Sequence, residues 1–208
     1  MAIRVPPGRA GRLWLVRRLE VARRGAEVLD EKRRTLLQER GRLSARLAET
    51  TADWERLAGE AARWNDRAGT IAGARRLRLG RVHAGAGAEI DVEWRNTLGA
   101  VFPAGATVRL GAGPDFVALG GGSSIALAAT AHAEALAAAA AYAAARAAHE
   151  AITAELAATT RRLRAIERRW IPEHEAALRS LELALDQSEL EDTLRVRWVM
   201  GRQATSVE

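Results

Sequence analysis

Three glycine clusters, GAGAE at 85–89, GAGPD at 111–115 and GGGSS at 120–124, have the composition of phosphate-cradling loops. Such a loop surrounds the anion with backbone N–H groups and ends in Gly-Lys-Ser/Thr, whose lysine and hydroxyl reach the phosphates and the metal. None of the three ends that way, so they read as turns and a helix start. The four histidines are scattered. His132 and His149 sit in an alanine-rich stretch without ligand spacing, and His174 lies between Glu173 and Glu175. Consecutive helical residues point in different directions, which makes "EHE" a poor metal site. Carboxylates are plentiful but stand among arginines at helical spacing, the pattern of solvated ion pairs rather than acid–base catalysis. The sequence therefore predicts no catalytic, cofactor-binding or metal-binding residue.

The aromatic residues say more. Trp14 and Trp198 lie near opposite ends of the 208-residue chain, in stretches that also carry Arg4, Arg9, Arg12, Arg195 and Arg197. Aromatic and arginine residues together are the composition of a protein-docking surface. That reading requires a fold that brings the two termini to one end.

Composition bounds the fold. Aromatic residues make up 4% of the chain, while alanine, leucine, arginine and glutamate dominate, as in long helices or coiled coil. The net charge is +6, and Lys32 is the sole lysine. A basic balance allows nucleic acid, an anionic membrane or an acidic partner, though arginine with alanine also fits a solvated helical surface. There is no cysteine, which excludes disulfides and thiolate chemistry and suits a reducing cytoplasm. The opening "MAIRVPPGRAGRLWL" lacks the apolar core of a signal peptide, and the run "ALAAAAAYAAA" is too weakly hydrophobic to read as a membrane span.

Three segments follow: a coiled-coil helix over 1–72, a small β-containing tip over 73–123, and a second coiled-coil helix over 124–208. In the first, steps of four and three run from Leu15 through Leu19, Ala22, Ala26, Leu29, Arg33, Leu36, Arg40, Leu43 and Leu47. They continue through Thr50, Trp54, Leu57, Ala61 and Trp64, a heptad rhythm. At 1.5 Å per residue the helix from Ala10 to Ala68 would be roughly 85 Å long. In the middle segment the period becomes two: Ile90, Val92 and Trp94 alternate with Glu89, Asp91 and Glu93, a half-buried strand. "RNTLG" supplies a turn, "AVFP" a partner strand and "ATVRL" a candidate third. Val92, Trp94, Leu98, Val101 and Phe102 are the candidate contacts of this tip.

The third segment opens at Ser123 and Ser124, which suit the N-cap, and its seam runs through Ile152, Leu156, Thr159, Leu163, Ile166 and Trp170. Beyond Pro172 the best stripe is Ile171, His174, Leu178, Leu181 and Leu185, displaced by one residue. A proline inside a helix costs about 3 kcal/mol, so Trp170, Ile171 and Pro172 mark an expected bend in a continuous helix. The two helices bury their seams most simply against each other, giving a mainly α fold: a long antiparallel two-helix coiled coil with the β insertion at its distal tip.

The order of these features resembles the D subunits of the V-type/A-type rotary ATPases, which form the central rotor shaft. "GRLWLVRRLEVARRGAEVLDEKRRTL" resembles the opening helix, with Arg24-Gly25, Val28-Leu29 and Lys32-Arg33 standing at the family's Lys-Gly…Leu-Leu-x-x-Lys-Arg core. "VEWRNTLGAVFP" is similar to the segment ending in Gly-Val-x-Val-Pro. "RRLRAIERRWIPEHEAALRSLELALDQSELEDTLRVRW" resembles the Arg-Arg-Val-Asn-Ala-Leu-Glu…Ile-Pro block. Departures are Arg164 where the family usually has asparagine, "ELED" for a more charged run, and Pro7 for a threonine.

The resemblance implies a non-catalytic, peripheral cytoplasmic component that carries torque between the A/B catalytic hexamer and the ion-translocating ring. Its implied partners are the A and B subunits at the paired termini, and the F subunit with the funnel-shaped component of the membrane rotor at the other end. It implies neither nucleic-acid binding nor membrane insertion. A non-rotary coiled-coil scaffold and an arginine-rich nucleic-acid binder are the alternatives the residues leave open.

Overall fold

The computed structural model describes residues 4–73, 75–78, 87–111 and 122–205. Helix α1 spans Gly8–Ala72, strands β1 and β2 span Glu89–Thr97 and Ala100–Arg109, and α2 spans Ser123–Ala165. A π-helical turn, Ile166–Trp170, joins α2 directly to α3, Ile171–Thr205. The fold class is as expected: mainly α, with long N- and C-terminal helices and an antiparallel hairpin between them. Of the glycine clusters, Gly85 and Ala86 of GAGAE, residues 112–115 of GAGPD, and Gly120 and Gly121 of GGGSS lie outside the described residues.

The chain forms two units, Met1–Arg33 with Ala158–Glu208, and Arg34–Ala157. In the terminal unit the start of α1 and the C-terminal helix run antiparallel. Three cross-helix ion pairs mark this: Arg23–Glu175 at 2.7 Å, Arg12–Glu182 at 2.9 Å and Arg9–Glu189 at 2.8 Å. Leu15, Leu19 and Ala26 on α1 are buried, as are Thr159, Leu163 and His174. Gly11 is buried because the chain folds back over the first turn; a Cβ there would collide with the Pro6 carbonyl oxygen.

In the central unit α1 and α2 are again antiparallel. Ala68 packs with Ile125 and Ala128, Ala61 with Ala131 and Ala135, and Leu36 with Ala148, Ile152 and Leu156. Alanine has little side chain to order and lets the helix axes approach closely. Larger side chains enter this seam too: Trp54 and Tyr142 stack with ring centroids 5.0 Å apart and planes 8° from parallel, and half-buried Trp64 packs against both alanine clusters. By length and composition the long apolar helix could cross a bilayer. Buried alanines of this stretch form its seam with α1.

The seam read on α1 is largely the buried one; Arg40 is exposed, as a charged side chain at such a position readily is. The β region differs from expectation in three ways. The hairpin does not cap the helix end: Ala100 and Phe102 pack against Leu36, Ala148 and Ile152, partway along the helices. "AVFP" and "ATVR" form one strand, because Ala104 bulges out where Glu93 pairs with Gly105 and Trp94 with Pro103. A bulge of this kind accommodates a proline within a ladder. Finally, β1 is exposed from Glu89 to Asn96 rather than half-buried.

The physical reason is a choice of face that alternation alone leaves open. Phe102 pairs with Arg95 and Ala100 with Thr97, so the polar row of β1 shares the face of the buried Phe102. The helix surface beneath is charged. Arg95 lines a cleft with Glu39, Arg42 and Glu49, and Glu93 lines another with Arg46. Ile90, Val92 and Trp94 are left on the opposite face. A two-residue turn closes the hairpin, with Leu98 and Gly99 both at positive φ (52° and 86°). Asn96 Oδ1 accepts the Gly99 N–H at 3.0 Å. Both central φ values positive is the hairpin-favouring arrangement, and glycine adopts it without penalty.

Candidate partner-binding surfaces

In the terminal unit an apolar groove of about 710 Å³ opens along α1, lined by Leu13, Trp14, Val21, Ile166 and Trp170 among others. Helical spacing brings Trp14, Arg18 and Ala22 onto one face of α1. The Arg18 guanidinium carbon lies 4.6 Å from the Trp14 ring centroid and 5.6 Å from that of Trp170. Trp170 stacks on His174 with centroids 3.5 Å apart. His174 Nδ1 lies 2.8 Å from the Trp170 carbonyl oxygen, so the "EHE" histidine is a packed aromatic with a local hydrogen bond. A guanidinium between indole faces gains cation–π attraction while keeping the groove wall apolar.

The residues expected at a terminal docking surface separate into two sets. Arg9 and Arg12 are held by Glu189 and Glu182 across the helix pair, and Trp14 belongs to the groove. Arg4 is exposed ahead of α1. Arg195, Arg197 and Trp198 lie further along α3, past Glu189, with Arg195 3.9 Å from Asp192. Every residue from Asp186 to Trp198 is exposed. Leu190, Leu194 and Trp198, 63–65% exposed, recur every four residues and form an apolar stripe on this end of α3. The residues identify that stripe only once it is known that α3 outruns its pairing.

On the hairpin, Val92, Trp94, Leu98 and Val101 are exposed, with Trp94 at 67%, and Ile90 joins them. Phe102 is elsewhere: at 1% exposure it anchors the hairpin to the helices. Trp170 and Ile171 are half-buried and Pro172 is exposed beside them.

Among the described residues, no group of three or more histidine, cysteine or acidic side chains is arranged to hold a metal ion. What the geometry offers is surface: an apolar groove with arginines at its rim, an apolar stripe on an extended helix, and an apolar hairpin face.

A family model for the D subunit of ATP synthase matches residues 13–201. The chain belongs to that family. Its members are the D subunits of V/A-type ATP synthases, non-catalytic stalk components that associate with other parts of the synthase. No curated protein gives a significant match to the chain. The matched stretch takes in the groove lining from Leu13 onward, the hairpin and the α3 stripe.

Proposed function

We propose that this chain is the central rotor shaft of a bacterial V/A-type ATPase, carrying torque between the A/B catalytic hexamer and the membrane ion-translocating ring. The observation that carries this reading is the far part of α3, whose apolar stripe Leu190, Leu194 and Trp198 is presented on a helix exposed from Asp186 to Trp198. Such a stripe fits insertion into a surrounding sleeve, with Arg195 and Arg197 as polar contacts that let it turn. The A and B subunits form that sleeve, and the terminal unit, with Arg4, Arg9, Arg12 and Trp14, sits at its mouth.

The hairpin face of Ile90, Val92, Trp94, Leu98 and Val101 receives the F subunit or the funnel-shaped component of the membrane rotor. Two unequal helices within a threefold sleeve present a different contact to each catalytic interface, so nucleotide affinity follows shaft angle. The chain works in the cytoplasm, peripheral to the membrane. Its three-part organisation, 1–72, 73–123 and 124–208, with a bend near Pro172, serves that shaft.

The test is reconstitution of the A and B subunits with and without this chain, observed for rotation of a bead attached to it. ATP-driven rotation that depends on the chain is the expected result. Sustained turnover that is equal with and without it, and no rotation, would overturn the proposal. A scaffold would instead self-associate through its seams without A and B, visible by light scattering.

A further inference from the structure

The π-helical turn Ile166–Trp170 stands directly ahead of Pro172, and the Ile171 N–H donates to the Ile166 carbonyl, five residues back instead of four. A π turn inserts one residue without breaking the helix, and such turns mark functional sites more often than ordinary helix does. Each residue turns an α-helix by about 100°, so one extra residue rotates everything downstream by that angle.

The side chains show what the rotation achieves. Upstream, Thr159 and Leu163 are buried; downstream, His174 is buried and Leu178 and Leu181 are half-buried. These two stripes are out of step by one residue, and the turn is where they are reconciled. Glu175, Glu182 and Glu189 follow at seven-residue intervals, and all three reach arginines of α1. Removing one residue from the turn would swing the three carboxylates away from Arg23, Arg12 and Arg9 together. It would also redirect Leu190, Leu194 and Trp198.

We propose that the π turn is a phase-setting insert: packing on both sides requires the extra residue, and it fixes which face α3 presents both to α1 and to any partner of its exposed end. Pro172 is not required for it. The proline only adds to the preference, since an α-helix through this point would press its ring against the Arg168 carbonyl and leave that carbonyl without a donor. The inference concerns the isolated chain, so it stands or falls separately from the rotor reading.

The chain has no cysteine, so cysteines introduced at Arg12 and Glu182, which are in contact, can carry a pair of nitroxide labels, and their separation reads the phase of α3 by dipolar broadening of the continuous-wave electron paramagnetic resonance spectrum. Three backgrounds are compared: Pro172→Ala, deletion of Arg168, and Arg168→Ala as the control for the lost side chain. The expected result is an unchanged distance distribution in Pro172→Ala and Arg168→Ala, and a shift of several ångströms or a loss of the defined distance in the deletion. A shift in Pro172→Ala would show that the proline creates the turn and would overturn the proposal. So would an unchanged distance in the deletion. Pro172→Ala removes a helix-disfavouring residue from an exposed position, so it keeps the test decisive even if the deletion fails to fold.

Discussion

The two units use the same pair of long helices and hold them together by different means. In the central unit the seam is rich in alanine, with Trp54, Tyr142 and Trp64 among the larger residues, and is buttressed by a hairpin whose anchor is Phe102. In the terminal unit a few leucines are buried, the flanks are tied by three arginine–glutamate pairs, and an apolar groove is left open. Close-packed small residues give an interface that tolerates little change, whereas exposed ion pairs hold a geometry at small cost and small gain. One unit is built to stay fixed; the other keeps apolar surface available.

Substitutions can break that contrast. The largest effect is expected from Phe102→Ala, which empties the contact between the hairpin and Leu36, Ala148 and Ile152. A loss of about 3–5 kcal/mol in the denaturant-melted central unit is expected for a buried phenylalanine. If the hairpin were merely an appendage, the loss would fall below about 1 kcal/mol. Next is Ala61→Leu, which forces a large side chain between Ala131 and Ala135 and should cost about 1–3 kcal/mol. A neutral result by thermal melting would mean the alanine seam is loosely packed.

Thr159→Val should act in the opposite direction. Thr159 is fully buried, and its hydroxyl has no hydrogen-bond partner among the described residues. Removing it while keeping the shape should add about 1 kcal/mol to stability. Smallest is Glu182→Gln. Its pair with Arg12 is substantially exposed, so a change of about 0–1 kcal/mol is expected, shrinking further as salt is raised. A salt-independent loss above that range would show these pairs to be more than flank contacts.

Much of this contrast was legible in residue order. Leu15, Leu19, Leu36 and Ala61 announced the α1 seam by heptad spacing, and the one-residue slip at Pro172 announced the π turn, though only in the form of a bend. The hairpin resisted for a specific reason. Alternation in "EIDVEW" separates two faces but does not say which one meets the protein. Phe102, one residue from a proline on the partner strand, and the charged row Glu39, Arg42, Arg46 and Glu49 on α1 turned the polar face inward. No local signal joins those distant segments. Of the residues expected at a docking surface, Trp198 is exposed, while Arg9 and Arg12 pair across the helices and Trp14 belongs with Trp170 and Arg18, pairings that depend on tertiary register.

Tyr142 is the chain's only tyrosine, and its ring lies flat against Trp54. At a centroid distance of 5.0 Å its excited state passes to the indole before it can emit. The folded central unit should therefore be dark in tyrosine fluorescence, and the return of that emission would time the parting of its two helices without any label.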